Sequence, residues 1–182
     1  GQTGIHAFAT ACSASQASLS GCCSGLLNVI PYQGDNPLYH HGAIGPSADR
    51  RYLQHTDGTP FFWLADTWWM GLSTRLSWPS GFQQLTADRL EKGFNVVQIV
   101  AGLYPDMEPF DPRGTNEAGF PWTRDWQCIN PDYFDAADLK IAWLVDQGII
   151  PRIVGSWGYL KDYAGLDTLR RHWDNLIARW AA

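Results

Sequence analysis

Two short joints constrain the architecture open to this chain. Lys92-Gly93-Phe94-Asn95 and Gln147-Gly148-Ile149-Ile150 each stand between a helix-like stripe and an apolar run. Glycine just past a helix adopts left-handed backbone at no steric cost, so each joint ends a helix and releases the chain into a strand. The runs that follow are Asn95-Val96-Val97-Gln98-Ile99-Val100-Ala101-Gly102 and Ile149-Ile150-Pro151-Arg152-Ile153-Val154-Gly155, and Phe61-Phe62-Trp63-Leu64-Ala65 precedes them. Apolar runs without alternation are the mark of strands buried on both faces, as in a parallel sheet. Strand followed by helix three times predicts an α/β fold with right-handed crossovers.

The helices carry their own signals. Ser77 as a cap and Pro79 as an early proline predict the first helix, with Phe82, Leu85, Leu90 and Phe94 as its stripe. Asn130 and Pro131 predict the start of the second, with Asp132 and Asp135 near the positive end of its dipole. Its buried stripe reads Phe134, Ala137, Ile141, Leu144 and Val145. Asp167 predicts the cap of a last helix whose inner side holds Leu169, Trp173, Leu176, Ile177 and Trp180. Pro151 lacks an amide donor and belongs at the beginning of its strand. A complete eight-unit barrel needs about 250 residues, and the chain has 182. The pattern therefore reads as the first three βα units of a partial (β/α)8 TIM-type barrel, with a short N-terminal β/loop extension.

The extension is weakly patterned. Residues 1–27 have little pattern, with 9–25 mostly small, and predict a loop or disorder, with Gly1-Gln2-Thr3-Gly4 as a turn. Asn28-Val29-Ile30-Pro31-Tyr32 reads as a short strand. Further on, Arg51-Tyr52-Leu53-Gln54-His55 and Pro60-Phe61-Phe62 flank Asp57-Gly58, a tight hairpin turn.

Composition excludes several classes of function. The formal net charge is -5 with no long basic run, which argues against nucleic-acid binding. No apolar stretch approaches the roughly 20 residues of a membrane helix. No strand is followed by a glycine-rich phosphate loop, so a nucleotide-binding α/β protein has little support. Cys12, Cys22, Cys23 and Cys128 lack paired spacing, and the neighbours His40 and His41 would point to opposite faces of a strand, so neither set predicts a metal site. No cofactor is indicated, and neither redox compartment nor localisation is legible.

What stands out is the aromatic content, ten tryptophans and seven tyrosines. Such side chains fill cores and also line amphipathic ligand sites. In α/β folds the ligand lies at the carboxyl ends of the strands. Asp66, Trp68 and Trp69 follow the first predicted strand, Tyr104 and Asp106 the second, and Trp157 the third. These six are the candidate substrate-binding residues, Asp66 as an acceptor for sugar hydroxyls and the aromatics as apolar walls. Structural roles compete with each: a loop hydrogen bond for Asp66, core packing for Trp68, Trp69 and Trp157, and plain solvation for Asp106 and for Glu117 in the same long loop. That loop, residues 103–129, is longer than compact domains usually tolerate without a function.

Several separated segments together resemble the apiosidase-like family of glycoside hydrolases. They are Asp35-Asn36-Pro37-Leu38-Tyr39, the continuous stretch from Asp57-Gly58-Thr59-Pro60 through Trp68-Trp69, Lys92-Gly93-Phe94-Asn95-Val96-Val97-Gln98, and Ile153-Val154-Gly155-Ser156-Trp157-Gly158. The resemblance covers residues 36–182 and implies the N-terminal portion of a (β/α)8 barrel acting on plant-type or other complex glycans. It implies that residues 1–35 are the tail of a preceding β-sandwich-like domain or a linker. Glycoside cleavage needs two carboxyl groups, one of them held as the acid. The resemblance puts that pair on strand four and a later strand, so it assigns no catalytic residue here, and Asp66, Asp106 and Glu117 are the candidate acids within the chain. A non-catalytic carbohydrate-binding module is the alternative. The expected partner is a carbohydrate, with self-association through an unpaired edge of the third strand.

Overall fold

The structure is a computed structural model describing residues 3–12 and 21–181. Among the described residues three separate sheets follow one another along the chain. Strands β1 (Gly4–Cys12) and β2 (Gly21–Val29) pair antiparallel, Gly4 opposite Val29 and Cys12 opposite Gly21. This corrects the expectation of a loop over residues 1–27, of which residues 1–2 and 13–20 lie outside the described residues. Small residues conceal a strand because they leave no alternation of large apolar and polar side chains, while the backbone ladder forms without one. The strand expected over Asn28–Tyr32 is also corrected, since β2 ends at Val29.

The second sheet holds β3 (Ile44–Pro46), β4 (Leu53–His55) and β5 (Pro60–Phe61), all antiparallel. The Asp57-Gly58 turn is where the sequence put it, with Gly58 at φ 89° and the Thr59 amide donating to Asp57 at 2.9 Å. Among the tandem histidines, His41 bonds Asp57 at 2.7 Å and His40 bonds the Gly34 carbonyl at 2.8 Å.

The third sheet is parallel, in the order β6 (Ala65–Trp68), β7 (Val96–Val100), β8 (Ile150–Val154). Helix α1 (Ser80–Glu91) joins β6 to β7, and α2 (Pro131–Asp146) joins β7 to β8. Both joint glycines have left-handed backbone, Gly93 at φ 80° and Gly148 at φ 81°. A short α3 (Lys161–Ala164) and the longer α4 (Leu166–Trp180) follow β8.

The first apolar run requires a correction. Phe61 pairs back onto Leu53 in the second sheet, Phe62 is 78% exposed and Trp63 42%. The strand begins only at Ala65, so Asp66 and Thr67 lie inside it rather than beyond its end. Asn95 makes the crossing between sheets: its side chain accepts from the Leu64 amide at 3.0 Å and donates to the Phe62 carbonyl at 2.7 Å.

Helix ends depart from the sequence reading in two further places. Pro79, not Ser77, precedes α1, and the Ser77 carbonyl accepts from the Phe82 amide at 3.0 Å. Gly165 precedes α4, which leaves Asp167 in its first turn rather than at the cap. The inner face of α4 is Thr168, His172 and Leu176, while Ile177 is 58% exposed.

The main core lies between the sheet and the helices. Trp68, Leu72, Phe82, Val97, Ile99, Ala137, Ile141, Leu144 and Ile149 form one cluster. Full burial of each large apolar side chain contributes about 1.5–3 kcal/mol, so this seam anchors the three strands. No helix among the described residues is long and apolar enough to cross a membrane.

Candidate functional site

Strand alternation sorts the sequence candidates before any contact is considered. Residues two apart share a face of a strand. Trp68 packs on Phe82 of α1 with ring centroids 5.3 Å apart and is 6% exposed, so Asp66 and Trp68 face the helices. Asp66 is held there. Its carboxylate accepts from the Arg89 guanidinium of α1, from Trp68 Nε1 at 2.9 Å and from the Thr67 amide at 2.8 Å. Burial pushes the Asp66 carboxyl up, but those three donors outweigh it and hold it below the ordinary carboxylate value. Its lone pairs are thus engaged in the protein, and Trp68 is core.

Thr67 takes the other face, and Trp69 lies in the turn just beyond the strand. Thr67 pairs with Gln98, and Gln98 with Arg152, so these three form a polar row across the sheet on the side away from α1 and α2. Just beyond the strand ends, Trp69 and Trp157 meet edge to face, with centroids 5.3 Å apart and planes at 88°. Trp69 is 39% exposed and Trp157 half-buried. These two residues are 88 positions apart in sequence and follow strands that flank β7, so their rings meet across the end of β7. Edge to face is a favoured arrangement of two aromatic rings, and partly exposed tryptophans of this kind offer an apolar surface beside a polar N–H.

The second-strand candidates are placed differently. Tyr104 is 4% exposed, and its hydroxyl lies 3.2 Å from that of Tyr133, itself fully buried. Burial raises both phenols well above the usual value, with the nearby Glu117 carboxylate adding to the rise. Tyr104 therefore packs beneath the long loop rather than beside Trp69. Asp106 is exposed, at a left-handed φ of 59°. Glu117 is half-exposed, with one oxygen 3.4 Å from Lys140 Nζ.

The long loop is built by its own aromatics. Phe110 contacts Phe120 and Trp126, with Arg124 over both phenylalanine rings. Asn130 does not cap α2 with its side chain; its amide donates to the Ala118 and Phe120 carbonyls at 2.9 and 2.8 Å and ties the loop to the helix start. A cavity of about 30 Å³ remains under this loop, lined by residues including Tyr104, Met107, Phe110 and Trp126, roughly room for one small group. Among the described residues no three His, Cys, Asp or Glu side chains converge as a metal site would require.

The sequence reading missed the buried side chains of Lys140 and His172. Lys140 and His172 each sit at helical spacing within an apolar stripe, between Ala137 and Leu144 and between Thr168 and Leu176. That spacing was the available signal. His172 is fully buried; its ring accepts from Trp122 Nε1 at 3.3 Å through Nδ1 and bonds the Gly155 carbonyl at 2.9 Å through Nε2.

With this geometry established, comparison with known proteins places the chain. The model of the apiosidase-like catalytic domain matches residues 47–182. One similar solved structure is described as a glycoside hydrolase, with 24% identity and a TM-score of 0.60 over 79% of this chain and 32% of that one. Another is a glycoside hydrolase family 5 protein from Bacteroides vulgatus ATCC 8482, with 21% identity and a TM-score of 0.61 over 79% of this chain and 31% of that one. The chain thus spans about a third of the length of these structures. Comparison with curated proteins finds no match. At such identities the structures speak for a shared α/β fold, and it is the family match over most of the chain's length, parallel sheet included, that decides kinship: the chain belongs to the apiosidase-like catalytic-domain family.

Proposed function

We propose that this chain forms the first three βα units of a (β/α)8 barrel in a glycoside hydrolase acting on plant-type or other complex glycans. Trp69 and Trp157 form an apolar wall of its sugar site. The observation that carries the reading is their edge-to-face pairing at the carboxyl ends of β6 and β8, where barrel enzymes hold their substrates. Thr67, Gln98 and Arg152 lie in register on the same side of the sheet and supply hydrogen-bonding groups beneath the wall. The reading assigns no catalytic acid within the chain. Asp66 is engaged by Arg89 on the helix face, and a glycosidase needs its two carboxyl groups about 5 Å or more apart across the scissile bond.

The test compares the whole protein with its Trp69→Ala and Trp157→Ala variants on aryl glycosides and plant oligosaccharides. Each variant is expected to lose about tenfold in glycan affinity, roughly 1.4 kcal/mol. Hydrolysis by the whole protein with weakened binding in both variants supports the reading. Glycan binding without hydrolysis would make the protein a carbohydrate-binding module. Neither binding nor hydrolysis would overturn both.

The proposal extends to self-association. Among the described residues β8 pairs only with β7, and an open strand edge recruits other strands. The chain by itself is expected to sediment as oligomers. A monomer at all concentrations would count against an accessible edge.

A further inference from the structure

Lys140 lies on the inner face of α2 and is 1% exposed. Its Nζ is 3.3 Å from the Leu72 carbonyl, 3.3 Å from that of Ser73 and 3.4 Å from that of Leu76. Glu117 Oε1 is a fourth oxygen at 3.4 Å, and the Phe82 ring centroid lies 6.0 Å away. An ammonium has three N–H donors, so four surrounding oxygens share them at somewhat long distances. Leu72 and Ser73 are fully buried, so water does not readily replace the missing donor if the amine goes.

The oxygens come from two separate loops. The three carbonyls belong to the turns that follow β6, which start at Trp69 and are closed by Gly71 N to Trp68 O at 2.9 Å and Ser73 N to Met70 O at 3.0 Å. Glu117 belongs to the loop after β7, in a turn closed by reciprocal Asn116 and Gly119 bonds of 3.0 and 3.1 Å. Asn116 is itself buried and donates to the Tyr133 carbonyl at 2.8 Å. The Thr74 amide donates to the Thr115 carbonyl at 2.9 Å, a second link between the same two loops.

We propose that Lys140 is a positioning residue whose ammonium joins the loop after β6 to the loop after β7 and so holds the β6 loop, which starts at Trp69, in the place where Trp69 meets Trp157. Its importance for ligand binding rests on the reading of that pair as a sugar wall; its effect on the pair does not. The ammonium does the work a bound monovalent cation does elsewhere, gathering carbonyls and one carboxylate around a single charge. Methionine, of similar length, carries no donor and leaves those oxygens facing one another.

The experiment uses circular dichroism, because two coupled indoles give an exciton signal that depends on their mutual orientation. The signal of this pair is the difference between the protein and its Trp157→Phe variant. In Lys140→Met that difference is expected to fall at least about twofold while the helical signal stays, and glycan affinity is expected to fall about tenfold. In Glu117→Gln, which keeps the shape of the side chain but removes its charge, a smaller fall is expected. A folded Lys140→Met protein with the exciton difference intact overturns the proposal. Should Lys140→Met fail to fold, Glu117→Gln decides: an unchanged exciton difference overturns the proposal and a reduced one supports it. A protein that binds no glycan, yet whose exciton signal depends on Lys140, would refute the sugar wall and leave the positioning role standing.

Discussion

Lowering the pH from 6.5 to 4 is expected to destabilise this chain by about 3 kcal/mol through His172 alone. Burial pushes its imidazolium form down to a pKa of about 4 from an ordinary 6.5, against partial opposition from the Gly155 and Ala101 backbone groups. Above pH 6.5 the ring is neutral in both folded and unfolded chains and no penalty exists. Below it the unfolded chain binds a proton that the folded chain refuses, so stability falls with pH until the folded pKa is passed near 4. A difference of about 2.5 units at 1.36 kcal/mol each gives the estimate. The geometry explains the refusal. Nδ1 must accept from Trp122 Nε1, and Nε2 must donate to the Gly155 carbonyl, so only one neutral tautomer satisfies both. A second proton would set Nδ1–H against the indole N–H. Arg171, whose guanidinium lies over the Trp122 ring at 5.1 Å, places another positive charge nearby. Urea denaturation at half-unit pH steps measures the effect, with His172→Gln as the control. The control should be less stable at pH 7 and should lose most of the slope between pH 6.5 and 4. A slope that survives in His172→Gln would assign the acid sensitivity to other groups.

His172 also shows where the sequence could be read and where it could not. Apolar stripes and glycine stops predicted three strand–helix units, and β7, α2 and β8 lie where those signals put them. Those signals are local: a glycine after a helix and valines in a run act through their own backbone and side-chain sterics. Residues 61–65 were misread because an apolar run records only a tendency to be covered, not which sheet the chain joins. Phe61 belongs to one sheet, Ala65 to the next, and Asn95, thirty positions on, determines the crossing. The site divided along the same line. Asp66 and Trp68 looked equivalent to Trp69 as neighbours in sequence, yet a shift of one residue changes the face of a strand. β6 ends at Trp68, so Trp69 lies in the turn beyond it, and its meeting with Trp157 across β7 is a tertiary contact that the alternation of a strand does not disclose. Lys140 and His172 were hidden because a charged or polar residue in an apolar stripe reads as an interruption, whereas here it answers carbonyls and an indole contributed by distant loops.

Replacing Gly102 with alanine is expected to cost about 2–4 kcal/mol, and the cost has two separable parts. Gly102 follows β7 at φ 87°, where any side chain is strained by about 1 kcal/mol. A Cβ there would also stand 2.9 Å from the Tyr133 hydroxyl and 3.0 and 3.1 Å from two carbons of Pro121. Tyr133 is fully buried and cannot withdraw, its hydroxyl being placed against Tyr104 and its ring against Phe134. Overpacking at such a point costs a further 1–3 kcal/mol. Gly93 supplies the comparison within the same molecule, because it has φ 80° but nothing within 4 Å of an added Cβ. Gly93→Ala should therefore show the backbone strain alone, about 1 kcal/mol, and the excess in Gly102→Ala measures the packing of the Tyr104–Tyr133 layer under the long loop. Paired denaturation curves check this. Equal losses in the two variants would mean that the layer yields to an extra methyl group, and that the loop over Gly102 is not held as rigidly as its buried tyrosines imply.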